Sequence, residues 1–146
     1  MKRPLEQSER RYRQACYDFE QARRLLEQGV FSYAAFFAEQ AAQKALKSYL
    51  FARGERAVLL PSVAALARRA AETDELFVAL VDAGRRLDRH SLTSRYPDAL
   101  PDPAIPGESY TRGDVEDAIG ASAAVLQAAR QALGYPPEIP PLSSAG

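Results

Sequence analysis

Ser32-Tyr33-Ala34-Ala35-Phe36-Phe37-Ala38-Glu39-Gln40-Ala41-Ala42-Gln43-Lys44-Ala45-Leu46-Lys47 is the stretch that decides the fold. At the roughly 100° per residue of an α-helix, Ala34, Phe37, Ala38, Ala41, Ala42, Ala45 and, just beyond, Tyr49 fall on one wide arc. Most of that arc is alanine, and small side chains let a neighbouring helix come close. The other side carries Tyr33, Phe36, Leu50 and Phe51 among Gln40, Gln43, Lys44 and Lys47. Apolar residues on both sides predict a central helix from Phe31 to Arg53, stopped by Gly54. One face belongs to the core and the other to a second contact, for which a second subunit is the expectation.

Before this helix, Tyr12, Ala15, Cys16, Phe19, Ala22, Leu25 and Leu26 recur at three- and four-residue spacing. They predict a one-faced helix from about Glu6 to Gln28, with Pro4 near its first turn and Gly29 as its stop. After it, Ser62 caps a short helix over Val63–Ala71, with Val63, Leu66, Ala67 and Ala70 inward. Thr73 and Asp74 offer caps for a further helix reaching about His90, whose stripe is Leu76, Phe77, Leu80, Val81, Gly84 and Leu87. Periodicity then stops from Ser91 to Pro106, where Pro97, Pro101, Pro103 and Pro106 forbid a continuous helix. A last helix runs from about Gly113 to Leu133, with Val115, Ala118, Ile119, Ser122, Val125, Leu126 and Ala129 inward. No strand alternation and no short repeat is present. The fold expected is all-α: an up-and-down bundle of four main helices plus one short helix. Residues 1–134 make one helical domain and 135–146 a proline-rich tail.

The 146 residues suffice for a core that needs no staple. Net charge is zero, so contact with a polyanion needs a local basic patch. One cysteine, Cys16, and one histidine, His90, exclude an internal disulfide and any cysteine- or multi-histidine metal cluster within the chain. Met1–Glu6 leads into a charged helix without an apolar signal region, and no apolar run reaches membrane-spanning length. A cytoplasmic location is expected, with no membrane partner.

The basic patch lies at the end of the fourth helix. Arg85, Arg86, Arg89 and Arg95 face only Asp88 between residues 85 and 96, a local excess of three positive charges. Bland readings exist for each residue: a solvated helix face for the arginines, a helix-end cap for His90, a turn for Ser94-Arg95-Tyr96-Pro97-Asp98. The functional reading is phosphate chemistry. An imidazole exchanges protons near neutrality, and a guanidinium forks onto phosphate oxygens. Arg85 and His90 form a minimal metal-independent ribonuclease set in which the substrate's own 2′-hydroxyl attacks, so DNA is not an expected substrate. Arg86, Arg89, Arg95 and Tyr96 are the candidates for binding phosphate or nucleotide. Arg85 and His90 lie about 140° apart on a regular helix, so they converge only where the helix ends or a second chain completes the set.

Several runs together resemble a known family. Asp18-Phe19-Glu20-Gln21-Ala22, then Ser32 to Lys47, Ser62-Val63-Ala64-Ala65-Leu66, Leu87-Asp88-Arg89-His90 and Ser94 to Pro101 are similar in kind and order to a HEPN domain, the higher eukaryotes and prokaryotes nucleotide-binding domain. The resemblance covers roughly Arg11 to Ala132 and implies a helical bundle that dimerises. It also implies a nucleotide or RNA ligand and, in many members, a partner that is a minimal nucleotidyltransferase, as in toxin–antitoxin pairs. Many members resemble ribonucleases with an arginine followed four to six residues later by histidine, a spacing that Arg85 and His90 meet. Arg86 stands where such toxins usually carry a small polar residue, and Leu92 where some carry a tyrosine. Members with the Arg95-Tyr96-Pro97-Asp98 run often lack the motif histidine. Three functions follow, in this order: a non-catalytic nucleotide- or RNA-binding module with a nucleotidyltransferase partner, a metal-independent endoribonuclease, and a structural dimer or adaptor. None of them calls for a cofactor.

Overall fold

The three long helices each end at a glycine. The computed structural model describes residues 4–55 and 59–136. It holds α1 (Pro4–Glu27), α2 (Phe31–Ala52), α3 (Val63–Ala71), α4 (Val81–Asp88), α5 (His90–Thr93), α6 (Pro106–Ser109) and α7 (Arg112–Leu133), with 3-10 turns at Glu75–Leu80 and Pro97–Ala99. No strand occurs among the described residues. Gly29 takes a φ of 76°, which a residue with a Cβ resists. That turn lets Val30 N reach Leu25 O and Gly29 N reach Leu26 O, the paired bonds that close a helix and reverse the chain. The same pair of bonds closes α2 and α7. The proline-rich residues 137–146 lie outside the described residues; Tyr135 turns back instead, its ring 5.4 Å from Tyr12 and its hydroxyl 3.1 Å from Ser8 Oγ.

The bundle is built around α2, which packs against α1, α7 and α3, while α1 also meets α7. Its alanine arc is wholly buried: Ala34, Ala38, Ala41, Ala42 and Ala45 expose nothing. Facing them are Tyr12, Ala15, Phe19 and Ala22 of α1 and Ala118, Ala121, Val125, Leu126 and Ala129 of α7. Close approach of the helix axes replaces bulky side chains as the way of filling space. Two carboxylates are taken out of water in this scaffold, and both are partnered: Asp18 of α1 is held by Lys44 of α2 and by Gln14 Nε2 at 3.0 Å, and Glu39 of α2 accepts from Gln40 Nε2 at 2.8 Å and from Gln43.

Two details depart from the periodicity. Leu50, read as part of the outer face of α2, is buried in the core. Ala45, Leu46, Ser48 and Tyr49 around it are buried too, because α3 covers the C-terminal half of α2 in addition to α1 and α7. Leu76, read as part of the inner stripe, is exposed, whereas Phe77 and Leu87 are fully buried. The chain over Glu75–Leu80 is 3-10 rather than α. Its three residues per turn shift the phase of the stripe before α4 begins. The ends of α3 read correctly: Ser62 Oγ accepts from Ala65 N at 3.1 Å.

Gly84 and Asp88 join α4 to α3. A Cβ on Gly84 would stand 2.6 Å from Ala64 N and 2.7 Å from its Cα, so only glycine allows this approach. One turn later, Asp88 Oδ1 accepts from Val63 N at 2.6 Å, and Oδ2 accepts from Ser62 Oγ at 2.6 Å and Ala64 N at 3.2 Å. A carboxylate at a helix N-terminus satisfies amides that have no partner within the helix and complements the helix dipole. The end of α4, and with it the basic segment, is thereby fixed to the start of α3.

Candidate functional site

The fourth helix breaks within the basic run. α4 ends at Asp88, Arg89 forms a turn, and α5 carries on from His90 to Thr93. Arg89 keeps right-handed helical angles (φ −62°, ψ −20°), so the break hardly redirects the chain. His90 therefore faces α7 and the segment before it. Its Nδ1 is 2.9 Å from the Tyr110 hydroxyl, which is also 2.9 Å from Thr93 Oγ1, and the two rings tilt at 53° with centroids 5.4 Å apart. Ser94, fully buried, donates to His90 O and locks the turn after it.

Arg89, His90, Thr93, Leu100, Ser109, Tyr110, Gly113, Asp114 and Asp117 line a cleft of about 420 Å³. Burial pushes the His90 pKa below its ordinary value, and the neighbouring Arg89 charge pushes it further; Asp114 and Asp117 pull the other way. The imidazole is accordingly neutral at pH 7 and able to accept a proton or a hydrogen bond. Thr111 Oγ1 caps α7 through Asp114 N at 3.2 Å, and Asp114 Oδ2 accepts from Thr111 N at 2.9 Å. That reciprocal box sets the floor of the cleft.

The six residues singled out in the sequence do not form one patch. Arg89 and His90 share the cleft. Arg85 does not line it: its side chain is 60% exposed and lies 4.0 Å from Asp82, one turn back on its own helix. Arg86 leans toward α7, Nε 3.8 Å from Asp117 Oδ2 and without a hydrogen bond. Arg95 lies on the other side of α5. Its guanidinium covers the Phe36 ring at 4.2 Å and the Tyr96 ring at 4.9 Å, and donates from Nε and Nη2 to Ser91 O. Tyr96 serves Arg95, with its hydroxyl 3.4 Å from Nη1. Thr93, Tyr110, Asp114 and Asp117 were not singled out as ligand residues. Tyr110 is 20 residues from His90, and no local pattern announces that pairing.

Cys16 is buried in the core, and burial pushes its thiol up to about 11, which leaves it inert. Among the described residues no group of three or more His, Cys, Asp or Glu could hold a metal ion, and no helix is long and apolar enough to cross a membrane.

An all-helical bundle with an arginine–histidine segment at a helix break defines a recognisable class. This chain belongs to the HEPN domain family: the model of that domain matches residues 8–132. It is similar to the solved structure of TT1696 from Thermus thermophilus, with 30% identity, 86% of this chain and 97% of that chain covered, and a TM-score of 0.80. It is also similar to ST0689, an archaeal HEPN homologue, with 28% identity, 91% and 99% covered, and a TM-score of 0.68. No curated protein matches the chain.

Proposed function

We propose that the protein is a non-catalytic HEPN module that binds a nucleotide or RNA phosphate in the cleft between α5 and the start of α7. The carrying observation is that Arg89 and His90 line this cleft while Arg85 stays outside it. In this reading Arg89 supplies the charge for the phosphate, and neutral His90, oriented by Tyr110, supplies a hydrogen bond. Arg86 raises the local potential but is offset by Asp117. A volume of about 420 Å³ suits a mononucleotide or one nucleotide of a strand. The working partner implied by the family is a minimal nucleotidyltransferase. A homodimer through the outer face of α2, whose exposed Tyr33 stands at the helix start, completes the reading.

The endoribonuclease reading keeps one specific support. His90 has the protonation state of a general base, and a second copy could bring its own Arg85 to this cleft. Incubation of the protein with RNA in EDTA separates the two readings. The binding module leaves the RNA intact at any protein concentration. Cleavage that persists in EDTA and vanishes in His90→Ala replaces it with the ribonuclease.

A further inference from the structure

On the far side of α5 a second cleft, of about 480 Å³, opens onto the start of α2. Its lining includes Phe31, Ser32, Tyr33, Arg95, Ile105 and Pro106, and Arg95 is the one charged residue in it. The first cleft by contrast carries two aspartates beside its arginine. We infer that this second cleft is an anion site for a phosphate monoester whose organic part carries a flat ring, held by the open start of α2, the Ser32 hydroxyl and Arg95. The inference goes beyond the function proposed above and stands without it.

Three observations converge. α2 has 22 residues and no side-chain cap at its start. The first of its amides to find a backbone acceptor is Ala34 N, bonded to Val30 O, so the amides of Phe31, Ser32 and Tyr33 have none within the helix. Such an end attracts an anion through its amides and its dipole. Ser32 supplies the second observation. It is 7% exposed, it lines the cleft, and its hydroxyl has no hydrogen-bond partner. The residue is otherwise buried, and its hydroxyl oxygen keeps access to the cleft, free to bond a ligand there. Buried Ser94 and Ser48, by comparison, each donate to a backbone carbonyl, while Ser122, wholly enclosed, has no partner and lines neither cleft. Third, Arg95 is held by two aromatic rings and Ser91 O, and among the described residues no carboxylate lies within ion-pair distance of it, although its charge reaches the buried Glu39 carboxyl of α2. A pre-positioned guanidinium with donors to spare suits the paired oxygens of a phosphate. The apolar remainder of the wall, Val30, Phe31, Ile105 and Pro106, suits a flat ring rather than a second charge. Arg112, 5.4 Å over the Phe31 ring, adds positive potential at the rim.

Calorimetric titration with phenyl phosphate and adenosine 5′-monophosphate tests this on the intact protein. A 5′-phosphorylated oligoribonucleotide serves as a further arm, to separate a free small ester from the end of a strand. In an Arg89→Gln background, which removes the phosphate charge of the first cleft, the protein still binds a monoester; adding Arg95→Gln weakens it about tenfold or more, adding Ser32→Ala weakens it several-fold, and adding Arg68→Gln on the exposed surface of α3 leaves it unchanged. Circular dichroism establishes that each variant is folded; should Arg95→Gln misfold, Ser32→Ala decides alone. The inference is overturned if no monoester binds at millimolar concentration. It is equally overturned if, in the Arg89→Gln background, Ser32→Ala binds like its parent, or if that background no longer binds a monoester that wild type binds.

Discussion

The two halves of this molecule are held together by different forces. α1, α2 and α7 form a scaffold whose contacts are interchangeable: many small apolar side chains, each contributing a little, with Ala34 to Ala45 buried along one arc. The stretch from Glu75 to Tyr110 buries Phe77 and Leu87 in the same core, and beyond them it is positioned by single polar anchors. Asp88 pins α4 to α3, Ser94 closes the turn after His90, and Tyr110 ties α5 to the segment leading into α7. A region built on many small contacts tolerates change at most positions and is vulnerable at its few large buried side chains, such as Leu46. A region built on single anchors positions a site well and is easily disturbed, and both candidate clefts flank the anchored half.

The largest effect should come from the scaffold itself. Leu46→Ala removes a fully buried side chain and should lower stability by about 2–5 kcal/mol, measured by urea unfolding. A loss below about 1 kcal/mol would show the scaffold to be less tightly packed than its burial implies. Gly84→Ala comes next, because the added Cβ meets backbone rather than a movable side chain, and a cost of about 1–3 kcal/mol is expected. Asp88→Ala removes one carboxylate that satisfies two amides and a hydroxyl and should cost a similar amount, about 1–3 kcal/mol. Asp88→Asn, which keeps an acceptor, should cost less. Equal losses from the two substitutions would mean that charge at the helix end, not hydrogen bonding, does the anchoring.

Smaller effects should be confined to the His90 cleft. Asp117→Asn leaves the fold intact, frees Arg86 and should tighten phosphate binding several-fold; weaker binding would break the electrostatic reading of that cleft. The smallest effect is a pH dependence. His90 has its pKa lowered in the folded state, so between that value and the ordinary imidazole value the unfolded chain binds more protons. Stability from neutral His90 is full above the ordinary value and declines as pH falls through it toward the lowered one. A proton NMR titration of the imidazole checks this, with a midpoint below that of free histidine expected.

Much of the scaffold was legible because repetition carries it. The alanine arc of α2, the glycine stops and the Ser62 cap all depend on neighbours three or four residues away. The exceptions, Leu50 and Leu76, arise where a third helix covers a face or where a 3-10 turn changes the phase. The site was legible only in its composition. Arg89 and His90 were identifiable as a charged run at a helix end, but Tyr110, Asp114 and Asp117 come from across the bundle. The Arg85–His90 spacing fits the family pattern, yet Arg89 stays helical at the break, and Arg85 points to Asp82 instead of the cleft. Spacing along the chain says nothing about direction around it.

Arg89, in the cleft it shares with His90, is proposed to hold a nucleotide or RNA phosphate. The direct measurement is an equilibrium titration of labelled single-stranded RNA, in EDTA and at low ionic strength, against wild type, Arg89→Gln and Arg85→Gln. Saturable binding of intact RNA, weakened about tenfold by Arg89→Gln and little changed by Arg85→Gln, is the predicted result. Binding that ignores Arg89→Gln but falls in Arg85→Gln would contradict it.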